Sequence, residues 1–173
     1  MNVLLIGMPG AGKSTLSKPL ARRLRKKHVE IDELIEENIH MDLQSYIDTF
    51  GNESFQQKER QIIMSILKTC NNCVISPPGS LIYYDEIREY IRKYTSQFVV
   101  IYLHCHLPAI LARTNHFENR GVVFDTTVVN PYEFVYRERL PLYDYWAQYI
   151  VNATRPQSEL LRAMGTLVKS LKS

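Results

Sequence analysis

The strongest constraint in this 173-residue sequence is the run Gly7-Met8-Pro9-Gly10-Ala11-Gly12-Lys13-Ser14-Thr15, which fits G-x-x-x-x-G-K-[ST]. An apolar run of strand length, Asn2 to Ile6, precedes it. Ser14 to Lys27 follows, with Leu16, Leu20, Ala21 and Leu24 on one helical face. Strand, glycine-rich loop and helix together give the pattern its mechanical meaning. Glycines let successive backbone N–H groups curl around phosphate oxygens without a Cβ clash. The helix N-terminus adds partial positive charge toward the anion. Lys13 is placed to reach β- and γ-phosphates, and the Ser14 hydroxyl to join a Mg²⁺ shell. The expected nucleotide contacts are Gly10, Ala11, Gly12, Lys13, Ser14 and Thr15, with ATP or GTP as the ligand.

The rest of the chain alternates short apolar runs with longer amphipathic ones. Strands are expected at Val29 to Ile31, Cys73 to Ser76, Phe98 to Leu103 and Tyr149 to Asn152. Helices are expected at Asp32 to Asn38, Leu43 to Phe50, Phe55 to Thr69, Tyr84 to Tyr94, from Pro108 to Arg113, from Pro131 onward, and at Gln157 to Leu171. Thr114 to Asn130 has weak periodicity and reads as a loop. This order argues a three-layer α/β fold with a five-stranded parallel sheet, helices on both faces and a lid near residues 114–129. No repeat or linker interrupts it, so residues 1–173 are expected to form one domain. Pro19 is the one local conflict: it removes a hydrogen bond inside the first helix, a loss of up to about 3 kcal/mol if nothing compensates, and a kink is expected.

Composition narrows the partners. Lys+Arg 21 against Asp+Glu 18 leaves only +3, which excludes a strongly basic nucleic-acid arm. No apolar run approaches the roughly 18 residues of a membrane span. The N-terminus has no cationic region or small-residue cleavage site and does not read as a signal peptide. Three cysteines are too few for a disulfide scaffold and point to a reducing cytoplasm. The expected partner is a small molecule, with no nucleic acid or membrane, and the expected state is a monomer.

Other motifs separate the classes that share such a loop. A guanine-specifying N-K-x-D is absent, and Asp48-Thr49-Phe50-Gly51 lies between helical stretches, so a GTPase is disfavoured. The strand at Phe98 to Leu103 runs into His104-Cys105-His106 with no acid, unlike larger ATPases. A short chain with the loop at residue 7 suits a small-molecule or nucleotide kinase. A nucleoside monophosphate kinase would need several arginines in its lid, and residues 114–129 contain only Arg120. A non-catalytic nucleotide-binding regulator is the alternative of another class. Cys70-Asn71-Asn72-Cys73 has no second pair or histidine partners and ends a helix, so metal and redox roles are disfavoured. His104-Cys105-His106 alternates faces along a strand and suits no shared metal.

Over nearly its whole length the sequence resembles the shikimate kinase family. Glu30-Ile31-Asp32 stands at that family's Asp-x-Asp, Gly51 to Glu59 at its G-E-x-x-F-R-x-x-E, and Pro78-Gly79-Ser80 at its run of three glycines. Arg120 follows Arg113 at the family's spacing, and Arg139-Leu140-Pro141-Leu142-Tyr143 is its intact R-x-P-L-Y. The resemblance implies an ATP-dependent kinase for a hydroxyl of shikimate or a shikimate-like hydroxy acid. It implies Asp32 as base or orienter of that hydroxyl, Arg120 as the lid arginine over the phosphates, and Lys13 beside them. It also implies Glu30 with Ser14 at Mg²⁺, and Arg113 and Arg155 on the adenine side. The acceptor would meet Asp32, Gln56, Gly79 and Arg139. Asp32 also suits the N-cap of its helix, and Glu59 a structural pairing with an arginine. Two departures fall on the acceptor side: Gln56 replaces an arginine, and Pro78 and Ser80 replace glycines. Lys58 or Arg60 could restore the charge, and only Arg60 shares the helical face of Gln56.

Overall fold

The computed structural model describes residues 1–113 and 131–171. The expected lid at 114–129 and its Arg120 lie outside the described residues. Five strands form one parallel sheet in the order β2-β3-β1-β4-β5: β1 Asn2–Ile6, β2 Lys27–Glu30, β3 Cys73–Ser76, β4 Phe98–His104 and β5 Tyr149–Asn152. Strand β1 is central, with Leu4 paired to Ile75 on one side and Val100 on the other. Val3, Leu4, Leu5 and Ile6 are fully buried, as both faces of a parallel sheet are covered by helices. That is why β1, β3 and β4 read as near-continuous apolar runs, while the edge strands β2 and β5 do not.

The helices are α1 Lys13–Leu24, α2 Ile31–Ile39, α3 Leu43–Phe50, α4 Asn52–Thr69, α5 Asp85–Lys93, α6 Leu107–Arg113, α7 Pro131–Trp146 and α8 Gln157–Ser170. A 3₁₀ turn at Gly79–Tyr83, unforeseen in the sequence, leads into α5. Several boundaries differ from the expectation; helix α4, for one, opens at Asn52 rather than Phe55. Helix α1 stops at Leu24 rather than Lys27, because Arg25 takes a left-handed conformation with its N–H on Ala21 and Arg22 carbonyls. Lys27, freed from the helix, joins β2 together with His28, while Ile31 leaves the strand to open α2. Asp32 is therefore inside the first turn of α2, and Glu30 occupies the N-cap.

Helix α1 runs on through Pro19. Proline cannot serve the carbonyl four residues back, which is Thr15 O. Gln157 Nε2, at the start of α8, donates to that carbonyl at 3.3 Å. The compensation comes from an element 142 residues away in sequence. It ties the helix that carries the phosphate loop to the chain segment after β5.

Candidate active site

The carboxyl ends of β1, β2, β3 and β5 open into one cavity of about 720 Å³. Its place follows the rule that parallel sheets bind ligands at strand ends, where the connections diverge from a central strand. The loop from Gly7 to Thr15 leaves β1 and forms the floor. Gly10 and Gly12 have φ of 82° and 98°, a region costly for any residue with a Cβ. Lys13 Nζ donates to Gly7 O at 2.8 Å and Met8 O at 3.2 Å, curled over its own loop. Tyr132 OH donates to Pro9 O at 2.7 Å, so the first turn of α7 fixes the same loop from outside.

The nucleotide residues expected from the sequence come together here. Gly10, Ala11, Gly12, Lys13, Ser14 and Thr15 line the cavity, and so do Arg113 and Arg155. Arg113 Nη2 donates to Ala153 O at 2.9 Å, which joins the end of α6 to the turn after β5. Leu160 and Gln157 add to that wall. Glu30 lies 9% exposed behind the loop, near the hydroxyls of Ser76 and Ser14 and the Lys13 ammonium. Burial raises its pKa above the ordinary carboxyl value, and the two hydroxyls and the lysine oppose that rise. The register of the sheet explains the neighbourhood, since Glu30 pairs with Ser76 across β2 and β3. His28 extends it, with Nε2 at 3.7 Å from Glu30 and 2.8 Å from Ser17 Oγ.

The other end of the cavity is lined by Asp32, Glu36, Leu43, Phe55, Glu59, Pro78, Gly79, Ser80 and Arg139. Arg139 is 7% exposed. Its Nε donates to Tyr83 OH at 3.1 Å, and its guanidinium lies 5.1 Å from the centre of the Tyr83 ring. Tyr143 OH donates to Gly79 O at 3.1 Å. A Cβ on Gly79 would meet Arg139 Nη1 at 2.8 Å, Pro9 Cδ at 3.1 Å and Tyr143 OH at 3.3 Å. Any side chain at this position would press on the Arg139 guanidinium and on Pro9.

Two expectations about charge do not match the geometry. Gln56 is exposed on α4 and does not line the cavity. Arg60 is spent elsewhere, with Nε 3.2 Å from Glu86 Oε1, and does not reach the cavity either. Both follow from one helical face: Phe55, Glu59, Ile63 and Leu67 are the buried residues of α4, which turns Gln56 and Arg60 toward solvent.

Glu59 is the residue that sequence reasoning undervalued. It is 2% exposed, and its partners are hydroxyls rather than an arginine. Ser80 Oγ donates to its two oxygens at 2.9 and 2.8 Å, and Tyr84 OH donates to Oε2. Burial pushes its pKa up to about 7; the Tyr84 and Ser80 hydroxyls and Arg139 pull down, and Asp32 pushes up. A signal existed in the sequence. An acid at the fourfold spacing Phe55, Glu59, Ile63, Leu67 lies on the core stripe of a helix, where carboxylates are rare unless partnered.

Burial and the neighbouring Cys73 push the Cys70 thiol up to about 12, the opposite of what thiolate chemistry needs. No group of three metal-ligating side chains occurs among the described residues.

Known proteins place this arrangement. The shikimate kinase profile matches residues 9–169. Shikimate kinase of Francisella tularensis subsp. novicida is 33% identical over 150 residues, which are 87% of this chain and 84% of that one. Among solved structures, shikimate kinase from Acinetobacter baumannii in complex with shikimate superposes with a TM-score of 0.85 at 25% identity, covering 98% of this chain and 93% of that one. A gluconokinase from Sinorhizobium meliloti, at 17% identity and a TM-score of 0.57, shares the fold alone. The phosphate loop, the strand order and these matches agree: the chain belongs to the shikimate kinase family, ATP-dependent phosphotransferases that act on an alcohol group.

Proposed function

We propose that this protein transfers the γ-phosphoryl group of ATP to a hydroxyl of shikimate or a closely similar hydroxy acid, as one catalytic unit spanning residues 1–173, in the cytoplasm. The observation that carries the reading is a single cavity with Lys13 and the phosphate loop at one end and Asp32 and Arg139 at the other.

The loop's backbone N–H groups and the N-terminus of α1 hold the phosphates. Lys13 exchanges the neutral Gly7 and Met8 carbonyls for phosphate oxygens, where its charge is worth more. Arg113 and Arg155 flank the nucleotide's other end. Asp32, in the first turn of α2, orients the acceptor hydroxyl and takes its proton as the phosphoryl group is transferred. Arg139, held by Tyr83 and packed against Gly79, receives the acceptor's carboxylate. In the family the lid arginine, here Arg120, balances charge on the transferring group.

The Ser14 hydroxyl and the Glu30 carboxyl beside it are hard oxygen donors of the kind Mg²⁺ accepts, and they fit that ion. Bound there, Mg²⁺ would neutralise charge between the β- and γ-phosphates.

Coupled-enzyme assays with Mg·ATP and shikimate test the proposal. Saturable, shikimate-dependent ADP release is the expected result. ADP release that is the same with and without shikimate refutes it.

A further inference from the structure

The acceptor end of the cavity is rich in carboxyl groups. Asp32, Glu36 and Glu59 face it, against one guanidinium, Arg139, among the described residues. Glu59 is the most enclosed of the three acids. Two donors, Ser80 Oγ and Tyr84 OH, bring it one proton each. A carboxylate offers about four lone-pair sites, so about two remain. On the ionised carboxyl those sites can take only a donor. An anionic group at this wall would meet repulsion from Glu59 and from Asp32 nearby, and a C–H surface would leave a buried carboxylate underserved.

One of the two donors departs from the family pattern. Ser80 stands where the family's glycine run would leave a bare backbone, and Gln56, in place of the family's arginine, is turned to solvent. Hydroxyls therefore hold Glu59, and they do so from a rigid base. Ser80 sits in the 3₁₀ turn after β3, and Tyr84, 7% exposed, follows directly.

We propose that Ser80, Glu59 and Tyr84 form the specificity-determining element of the acceptor pocket: the fixed Glu59 carboxyl accepts a hydrogen bond from a ring hydroxyl of the acceptor, other than the one phosphorylated. The pocket thus selects a polyhydroxylated acceptor with a single anionic group for Arg139, and rejects one with a second anion. This inference rests on the proposed function and adds the chemical pattern that the site reads.

Wild type, Glu59→Gln and Ser80→Gly are assayed with shikimate and with analogues that each lack one ring hydroxyl. One analogue is expected to lose about 10- to 150-fold in kcat/KM with wild type, the worth of a hydrogen bond to a charged group. In Glu59→Gln, where the acceptor is neutral, that penalty is expected to fall by about tenfold. Ser80→Gly is expected to raise the shikimate KM and leave the ATP KM unchanged. The opposite sign, a lower shikimate KM on restoring the family's glycine, overturns the inference. So do equal penalties for every analogue in wild type and Glu59→Gln. Should Glu59→Gln lose ATP turnover through misfolding, the direction of the Ser80→Gly change decides alone. Wild type that binds ATP and never turns over shikimate refutes the proposed function itself, a result distinct from normal turnover with unchanged penalties.

Discussion

At the nucleotide end of the cavity the recognising atoms belong largely to the backbone of one contiguous loop, Gly7 to Thr15. At the acceptor end they belong to side chains from α2, α4, the 3₁₀ turn and α7, brought together by the sheet. The two ends answer to substitution differently. A backbone cradle depends on glycines at φ 82° and 98°, and almost nothing else satisfies it. A side-chain pocket can replace one charge by another arrangement of donors and still close its hydrogen bonds. That contrast fits the pattern of this sequence, in which the loop satisfies G-x-x-x-x-G-K-[ST] while Gln56, Pro78 and Ser80 depart from the family's acceptor motifs. Binding by the main chain constrains sequence tightly and specificity loosely; binding by side chains does the reverse.

The largest effect should come from the nucleotide end. Lys13→Ala removes the one charge delivered to the phosphates from within the loop, and turnover is expected to fall by about 100-fold or more, by analogy with loss of a preorganised charge-stabilising donor. Steady-state kinetics at saturating acceptor measures it. A smaller loss would mean that the backbone cradle alone sustains transfer, and would sharpen the contrast further.

Next comes Gly79→Ala. Its Cβ would lie 2.8 Å from Arg139 Nη1, so the guanidinium must move. The acceptor KM should rise by about 10- to 150-fold, the worth of a charge-assisted hydrogen bond, with the ATP KM nearly constant. Equal changes in both KM values would show that the two ends are mechanically coupled through Pro9, which that Cβ would approach at 3.1 Å.

A moderate effect is expected on stability against pH. Glu59 has a folded-state pKa of about 7 against an ordinary 4.5, so between these values the folded protein holds a proton that the unfolded chain has released. Stability then falls as pH rises. The protonated form's contribution is complete below about pH 4.5 and lost as pH passes through about 7. Denaturant titrations of wild type and Glu59→Gln across pH 5 to 8 should differ in slope, the variant being flatter. Parallel curves would place Glu59 in a more solvated setting than its burial implies.

The smallest effect belongs to Gln56→Arg. The position is exposed on α4, and exposed ion pairs are worth at most about 1 kcal/mol, roughly fivefold in KM. A much larger drop in shikimate KM would show that a longer side chain reaches over the rim, and that the acceptor end retains the family's two-arginine design.

Much of this was legible in the residues. Asn2 to Ile6, Cys73 to Ser76, Leu43 to Phe50 and Tyr149 to Asn152 are bounded where hydrophobic period and turn residues placed them. The end of α1 was misjudged because Arg25 carries no glycine-like signal for a left-handed cap. The 3₁₀ turn at Gly79–Tyr83 was hidden for a similar reason, since five residues are too few to show a period. Arg60 shared the helical face of Gln56 as expected, and that face turned out to be the solvent side.

The phosphate loop, its ligand class and the α/β alternation were set by local sequence, because main-chain conformation and helix polarity are determined within a few residues. The partners of Glu59 and of Thr15 O were decided only by tertiary structure. Glu59 meets Ser80 and Tyr84 across 21 and 25 residues, and Thr15 O meets Gln157 across 142. A buried polar atom must find a partner, but sequence states only the need. Which hydroxyl or amide answers it depends on how the helices lie on the sheet.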